Sequence, residues 1–221
     1  MASVAAVLVV AGPANATANW SCGEDFATSP GTLDNNLDCS GYNDTALVIT
    51  ADGVTLNFGG HTVTVDGSDD NDGVTTGGYD GATIENGTLN MDTGGTATEG
   101  WGIVNDGGTG LTVADMTING GYDGVDNYGD NPAGLTVDGS TIAGSTSDGV
   151  YTDGQGSTIT NNSISPSDYY YTESECERFT DGILASYGLG DVITGNTITG
   201  NYVDGNDAIE YCFLGETGIH L

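Results

Sequence analysis

The sequence predicts an all-β solenoid, in which short strands stack coil upon coil, and three observations predict it. A triplet recurs along the chain: Asp72-Gly73-Val74, Trp101-Gly102-Ile103, Asp123-Gly124-Val125, Asp148-Gly149-Val150, Asp181-Gly182-Ile183 and Asp207-Ala208-Ile209. Its middle residue advances by 29, 22, 25, 33 and 26 positions. Each of the first five triplets is followed by two apolar residues five apart, namely Ile84/Leu89, Val113/Ile118, Val137/Ile142, Ile159/Ile164 and Ile193/Ile198. No 3.6-residue periodicity competes with these short β-rich pieces. A unit of this length cannot bury its own apolar face, so successive copies must stack. At ~4.8 Å per coil, about six to seven coils make a rod of roughly 30 Å around a column of Val, Ile and Leu.

From the N-terminus, residues 1–18 hold a short apolar run followed by small residues that fit A-x-A cleavage. This resembles the end of a secretory signal peptide, lacking the basic n-region, and the run is too short to span a bilayer. The alternative is a buried N-terminal strand. Four cysteines in an exported chain imply two disulfides. Three pairings exist, and local pairing, Cys22 with Cys39 and Cys176 with Cys212, is favoured because the two pairs lie at opposite ends. Leu56/Val63 is an early, slightly longer version of the apolar pair. Two rows of threonine accompany the pairs: Thr55, Thr83, Thr112, Thr136 and Thr158, then Thr62, Thr88, Thr117, Thr141 and Thr197, with Ser163 in step. They are expected on separate strands, which argues against an ice-binding face.

Composition narrows the setting. The 221 residues carry 32 Asp and Glu against one basic residue, Arg178, for a formal net charge of −31. Apolar residues make up 37%, enough to disfavour disorder, and the 38 glycines have no three-residue period, which excludes a collagen-like chain. Nucleic acid is excluded as a partner because phosphates need Lys and Arg. Anionic lipid is disfavoured for the same reason, and no segment is suited to membrane insertion. Acidity spread along the whole chain predicts a secreted or cell-surface protein of a halophilic organism. At molar salt the Debye length is only ~3 Å and self-repulsion nearly vanishes. The melting temperature is therefore expected to climb with salt.

Residues 47–63, LVITADGVTLNFGGHTV, look like the first coil of right-handed parallel β-helix proteins. The segments ITNNSI at 159–164 and ITGNTI at 193–198 look like their standard coil repeat. The chain thus resembles the pectate-lyase-like superfamily over residues 45–212. That resemblance implies a right-handed parallel β-helix over residues 45–221, truncated at its C-terminal end. It also implies an N-terminal cap over residues 19–44, stapled by Cys22–Cys39. For activity it is weak, since the superfamily spans lyases, hydrolases, epimerases, tailspikes and proteins without a known reaction. The segment Phe179-Thr-Asp181-Gly-Ile183 is similar to one catalytic stretch of polygalacturonases. The paired Asp, the Gly-His-Gly and the Arg-x-Lys of that family are missing.

Alternation along the strand after each triplet puts Val104 and Asp106, Asp126 and Tyr128, Tyr151 and Asp153, Leu184 and Ser186, and Glu210 and Cys212 outward. It puts Asn105 and Asn127 inward as a buried ladder. The candidate catalytic carboxylates are therefore Asp106, Asp126, Asp153 and Glu210, with Tyr128 and Tyr151 between them to bind substrate. The diagonal pairs Asp106/Asp126 and Asp126/Asp153 should lie roughly 8 Å apart at the backbone. Inverting glycoside hydrolysis uses carboxyls ~6.5–9.5 Å apart with a water between them. In a chain this acidic, outward Asp is also expected by composition alone. The Asp of the repeated triplet suits a turn role, its side chain bonding the backbone before a flexible Gly.

The longest step holds residues 165–180, with Tyr169, Tyr170, Tyr171 and Arg178 beside Cys176. Tyrosines there could stack on sugar rings and Arg178 could pair a carboxylate, or the loop could cover a coil edge. Calcium is the one cofactor the composition suggests, with Asp69, Asp70 and Asp72 in the densest acidic loop as ligands. That loop lacks EF-hand spacing. Sequons at Asn19, Asn43, Asn86 and Asn161 permit glycosylation. The expected function is binding or processing of a polysaccharide or surface glycan on the acidic, Tyr-lined face. The alternatives are a non-catalytic surface module that self-assembles into filaments and a trimeric, tailspike-like receptor binder.

Overall fold

The computed structural model describes residues 16–17, 20–27, 31–67, 71–92, 100–129, 132–165, 181–186, 189–199 and 219–220. All regular structure among them is β, wound as a parallel solenoid of about five turns. One sheet, the front, has eight strands: Glu24–Phe26, Leu47–Ile49, Val74–Thr75, Ile103–Asp106, Val125–Tyr128, Val150–Thr152, Ile183–Ala185 and Ile219–His220. The repeated triplet opens these strands. Its Val or Ile forms one register column, Leu47, Val74, Ile103, Val125, Val150 and Ile183, every member fully buried. The thirteen-stranded back sheet holds the paired apolar markers. Ile84, Val113, Val137, Ile159 and Ile193 stack in one column; Leu89, Ile118, Ile142, Ile164 and Ile198 stack in the next. Each threonine row is in register, but the expectation that the two rows lie on separate strands fails in the middle coils: Thr83 and Thr88 share the strand Thr83–Asp92, and Thr112 and Thr117 share Thr112–Asn119, because there the backbone runs through the corner without breaking the ladder.

Positive-φ columns make the corners. Between the two back runs the left-handed residue is Gly59, Asn86, Asp115, Gly139, Asn161 and Gly195 in successive coils. Gly, Asn and Asp tolerate that conformation best, so the turn sequence varies while the backbone does not. A second column, between front and back, is glycine throughout: Gly53, Gly81, Gly110, Gly134, Gly156 and Gly190. Each N–H that is recorded there donates to a carbonyl one coil on, as Gly81 does to Thr109 at 2.7 Å.

Inside the front sheet runs the expected polar ladder. Thr76 Oγ1 donates to Asn105 Oδ1, Asn105 Nδ2 donates to Asn127 Oδ1 at 2.6 Å, and Asn127 Nδ2 donates to Thr152 Oγ1 at 2.9 Å. A buried amide needs its partners, and stacking identical amides supplies them coil by coil.

Three further expectations from the sequence are corrected by the structure. The coil number is about five rather than six to seven, because the strands counted exceed the turns between them and the triplet at Asp207 lies outside the described residues. The strand that pairs with Ile183–Ala185 is Ile219–His220, not Ile209 and Glu210. In the preceding rungs the middle glycine has no room for a side chain: a Cβ on Gly102 would sit 2.4 Å from the Gly124 carbonyl, and one on Gly149 2.6 Å from that of Gly182. Ala208 brings that forbidden Cβ, whereas Gly218 precedes Ile219. The third correction follows from the same contacts. These glycines do not have positive φ; close approach of the next coil, not flexibility, is what requires them. The triplet Asp likewise bonds the next coil and not its own turn, as described below.

At the N-terminus, the residues expected as a disulfide-stapled cap extend the two sheets by parallel pairing: Glu24–Phe26 pairs with Leu47–Ile49, Gly31–Thr32 with Leu56–Asn57, and Leu37–Cys39 with Val63–Val65. Ala16–Thr17 pairs in turn with Gly31–Thr32. The Cys22–Cys39 disulfide ties this part together, and Trp20 packs edge-on against Phe26 and Phe58 with ring centroids 5.0 and 5.7 Å away. Among the described residues no helix is long and apolar enough to cross a membrane.

Candidate functional site

The front sheet gathers the site. Its register places Val104 beside Asp126 and Asp126 beside Tyr151; Asp106 lies beside Tyr128. Asp126 is therefore diagonal to Asp106, as the alternation required, and Asp153 follows one rung on, just past the Val150–Thr152 strand. Asp106 is exposed, Asp153, Tyr128 and Tyr151 are half-buried, but Asp126 and Val104 are buried despite facing outward, at 4% and 3% exposure. Two aromatic rings gather on this face. Trp101 stands two residues before its strand, whereas Tyr128 ends the neighbouring one, yet the ring centroids lie 6.4 Å apart. The two rings therefore lean toward each other and form an aromatic roof, with Asp126 within electrostatic reach of Tyr128. Tyr122 meets the other side of Trp101, edge-on at 6.1 Å.

Beside this roof runs the triplet-Asp column. Asp72 Oδ1 accepts the Trp101 backbone N–H at 3.0 Å, Asp123 Oδ1 that of Asp148 at 2.7 Å, and Asp148 Oδ1 that of Asp181 at 2.8 Å. The column staples adjacent coils. It breaks at Trp101, which stands where the other rungs have Asp. The indole Nε1 instead donates to Asp123 Oδ2 at 3.2 Å.

Charge crowding follows. Burial first, and then the charges of Asp123, Asp153, Asp148 and Asp72, push the Asp126 carboxyl up to about 8. Burial and Asp123 likewise push Asp148 up to about 8. Burial raises Asp123 to about 6 against the hydrogen bonds from Asp148, Ser147 and Trp101. At neutral pH Asp126 carries a proton, and its Oδ1 is buried without a hydrogen-bond partner. A buried oxygen left unmatched costs about 1–3 kcal/mol, and such costs are tolerated where function needs them. Tyr151 donates its hydroxyl to Asp153 Oδ1 at 2.6 Å. Burial, and next that carboxylate, raise the tyrosine's pKa; burial and Asp106 raise that of Tyr128.

Chemically, the arrangement pairs a protonated carboxyl with ionised neighbours under an aromatic surface. That is the division of labour general acid–base chemistry needs. The structure brings Asp106, Asp126, Asp153, Tyr128 and Tyr151 together. Glu210, Tyr169, Tyr170, Tyr171, Arg178, Asp69, Asp70, Cys176 and Cys212 lie outside the described residues. Of the residues assigned to calcium, Asp72 is described, and one of its oxygens serves the Trp101 backbone. No three His, Cys, Asp or Glu side chains among the described residues converge to hold a metal ion. A shallow polar groove lined by Asn57, Gly59, Asn86, Asp115 and Thr117 lies at the back-sheet corner; it has no aromatic wall and no buried acid.

Sequence reasoning missed Trp101, Tyr122, Asp123 and Asp148 as parts of the site. The signal was present: Trp101 is the one large aromatic in a column otherwise occupied by Asp. No protein-family model, curated protein or solved structure matches this chain.

Proposed function

We propose that the front face hydrolyses a polysaccharide, with Asp126 as the general acid. The observation that carries this reading is Asp126 itself: outward in register, roofed by aromatics, proton-bearing at neutral pH and with an unmatched oxygen. The proton of Asp126 passes to the glycosidic oxygen as the C1–O bond breaks. A water attacks C1 from the opposite face and gives its proton to the Asp153 carboxylate, which Tyr151 holds in place. Atoms balance as one water added per bond cleaved. Roughly 8 Å between diagonal backbone positions leaves room for that water. Trp101 and Tyr128 would shift from Asp126 onto the sugar ring, exchanging one apolar contact for another.

Membership of the pectate-lyase-like superfamily, export, salt adaptation and the Tyr-rich loop at residues 165–180 belong to this proposal. The test is turnover of a polysaccharide panel in ~2 M salt, where charge repulsion is screened. Asp126→Asn should cost about 100-fold or more in kcat, and Asp153→Asn a similar factor. Unchanged turnover in Asp126→Asn removes it from the mechanism.

A second reading has its own support. The triplet Asp column bonds backbone to backbone, and Asp126 is covered. A purely structural module, self-assembling or binding a receptor, would use the front face in that way. Light scattering at high salt separates the two: defined filaments or a stable trimer favour the module, and an active monomer favours the enzyme.

A further inference from the structure

We infer that the glycan taken at Asp126 is uncharged, seated on Trp101, Tyr122 and Tyr128, and not a polyuronate or other anionic chain. The inference rests on the hydrolase site proposed above and narrows its substrate class.

Three observations carry it. Asp126 lies within electrostatic reach of Asp72, Asp123, Asp148 and Asp153. An anionic sugar bound there would add a further charge to a buried setting that already resists ionising its carboxyls and that salt screens poorly. No compensating cation stands in the described part of the fold, because the chain's one Lys or Arg is Arg178, outside it. Families of sites that bind sugar carboxylates do so with guanidinium or ammonium groups, or through a bound cation; the described acids do not converge on a cation position. The rings of Trp101, Tyr122 and Tyr128 are half-buried and grouped, with centroid separations of 6.1 and 6.4 Å from Trp101. Aromatic faces suit the C–H surface of a neutral sugar and need no charge on it.

The experiment measures binding and cleavage of matched hexasaccharides in ~2 M KCl. Neutral probes are cellohexaose, xylohexaose, mannohexaose and maltohexaose; the anionic probe is hexagalacturonate. Wild type, Asp126→Asn, Trp101→Ala and Tyr128→Ala are compared, with circular dichroism to confirm folding. Tyr128→Ala serves if Trp101→Ala fails to fold. The expected result is that at least one neutral hexamer binds ~10-fold or more tightly than hexagalacturonate and loses ~10-fold in affinity on removal of either ring. Hexagalacturonate binding as tightly as the best neutral probe, with cleavage lost in Asp126→Asn, overturns the uncharged class and leaves the hydrolase reading standing. Neutral binding that depends on the rings, with no cleavage of any probe, supports the uncharged class and overturns hydrolysis. Binding of none of the probes overturns both.

Discussion

Two sets of aspartates in this solenoid have the same side chain and opposite electrostatics. Asp38, Asp80 and Asp138 stand exposed, and neighbouring hydroxyls, amides and N–H groups donate to them. Asp138 Oδ1 accepts from Thr160 Oγ1 at 2.6 Å and Asn161 Nδ2 at 2.9 Å; Asp80 Oδ1 accepts from the Thr109 backbone at 2.7 Å. These bonds favour the charged form and hold all three carboxyls below the usual range. Asp123, Asp126 and Asp148 on the front sheet are buried and face one another, and their carboxyls are pushed up. A carboxylate's charge is thus stabilised where donors outnumber charges, and resisted where charges and burial outnumber donors.

The comparison can be broken most forcefully through the backbone that creates the crowding. The front-sheet acids are packed together because the glycine beside them lets coils approach. A Cβ on Gly124 would meet Ile142 Cγ2 at 2.3 Å and the Gly149 carbonyl at 2.8 Å. Gly124→Ala should therefore destabilise by about 3 kcal/mol, roughly 6–12 °C in Tm. Thermal unfolding followed by circular dichroism checks this; a change under a degree would mean the coils are not packed as described.

The next effect sharpens the contrast by pH. The raised groups bind their protons more tightly folded than unfolded, so their contribution is complete below about pH 4 and is lost as pH rises toward 8. The lowered groups act in the reverse sense: their contribution is present above the model-peptide value of 3.8 and is lost as pH falls through their folded values. Stability in molar salt should accordingly peak near mildly acidic pH. Asp126→Asn removes one charge that must be buried, and should raise Tm by a few degrees at pH 8 while changing it little at pH 4. A Tm loss at pH 8 as large as at pH 4 would show that Asp126 is not crowded.

The smallest effect belongs to the exposed aspartates. Asp138→Asn should leave Tm nearly unchanged above pH 5 and flatten only the acid limb of the profile, because the group is fully exposed and screened by salt. A marked destabilisation at pH 7 would place the exposed aspartates among the main supports of the fold.

Much of the fold was legible because a solenoid repeats its constraints. Val125 and Val150 are inward for the same local reason, and each copy of the marker reinforces the others. The Asn105–Asn127 ladder was readable from alternation alone, as were the outward positions of Asp106, Asp126 and Tyr128. The triplet glycines were misread in their cause, since sequence spacing does not reveal a carbonyl one coil away. The pairing of Ile219 with Ile183 escaped because the triplet at Asp207 imitated the marker while carrying Ala in the one position that excludes a Cβ.

For the site, the limit was of a different kind. The carboxylates follow from the period of two along each strand, but the roof does not. Trp101 and Tyr128 are far from each other along their strands, and only the folded chain brings their rings to 6.4 Å, near the buried Asp126.

By itself the sequence determined the architecture, the inward column of aliphatics and the face on which the acids and tyrosines lie, because those depend on local alternation repeated at a steady interval. Tertiary structure alone decided which of many aspartates keeps its proton. That choice depends on burial, on the number of donors and on the distance to other charges, quantities summed over residues from several coils that no single stretch of chain contains.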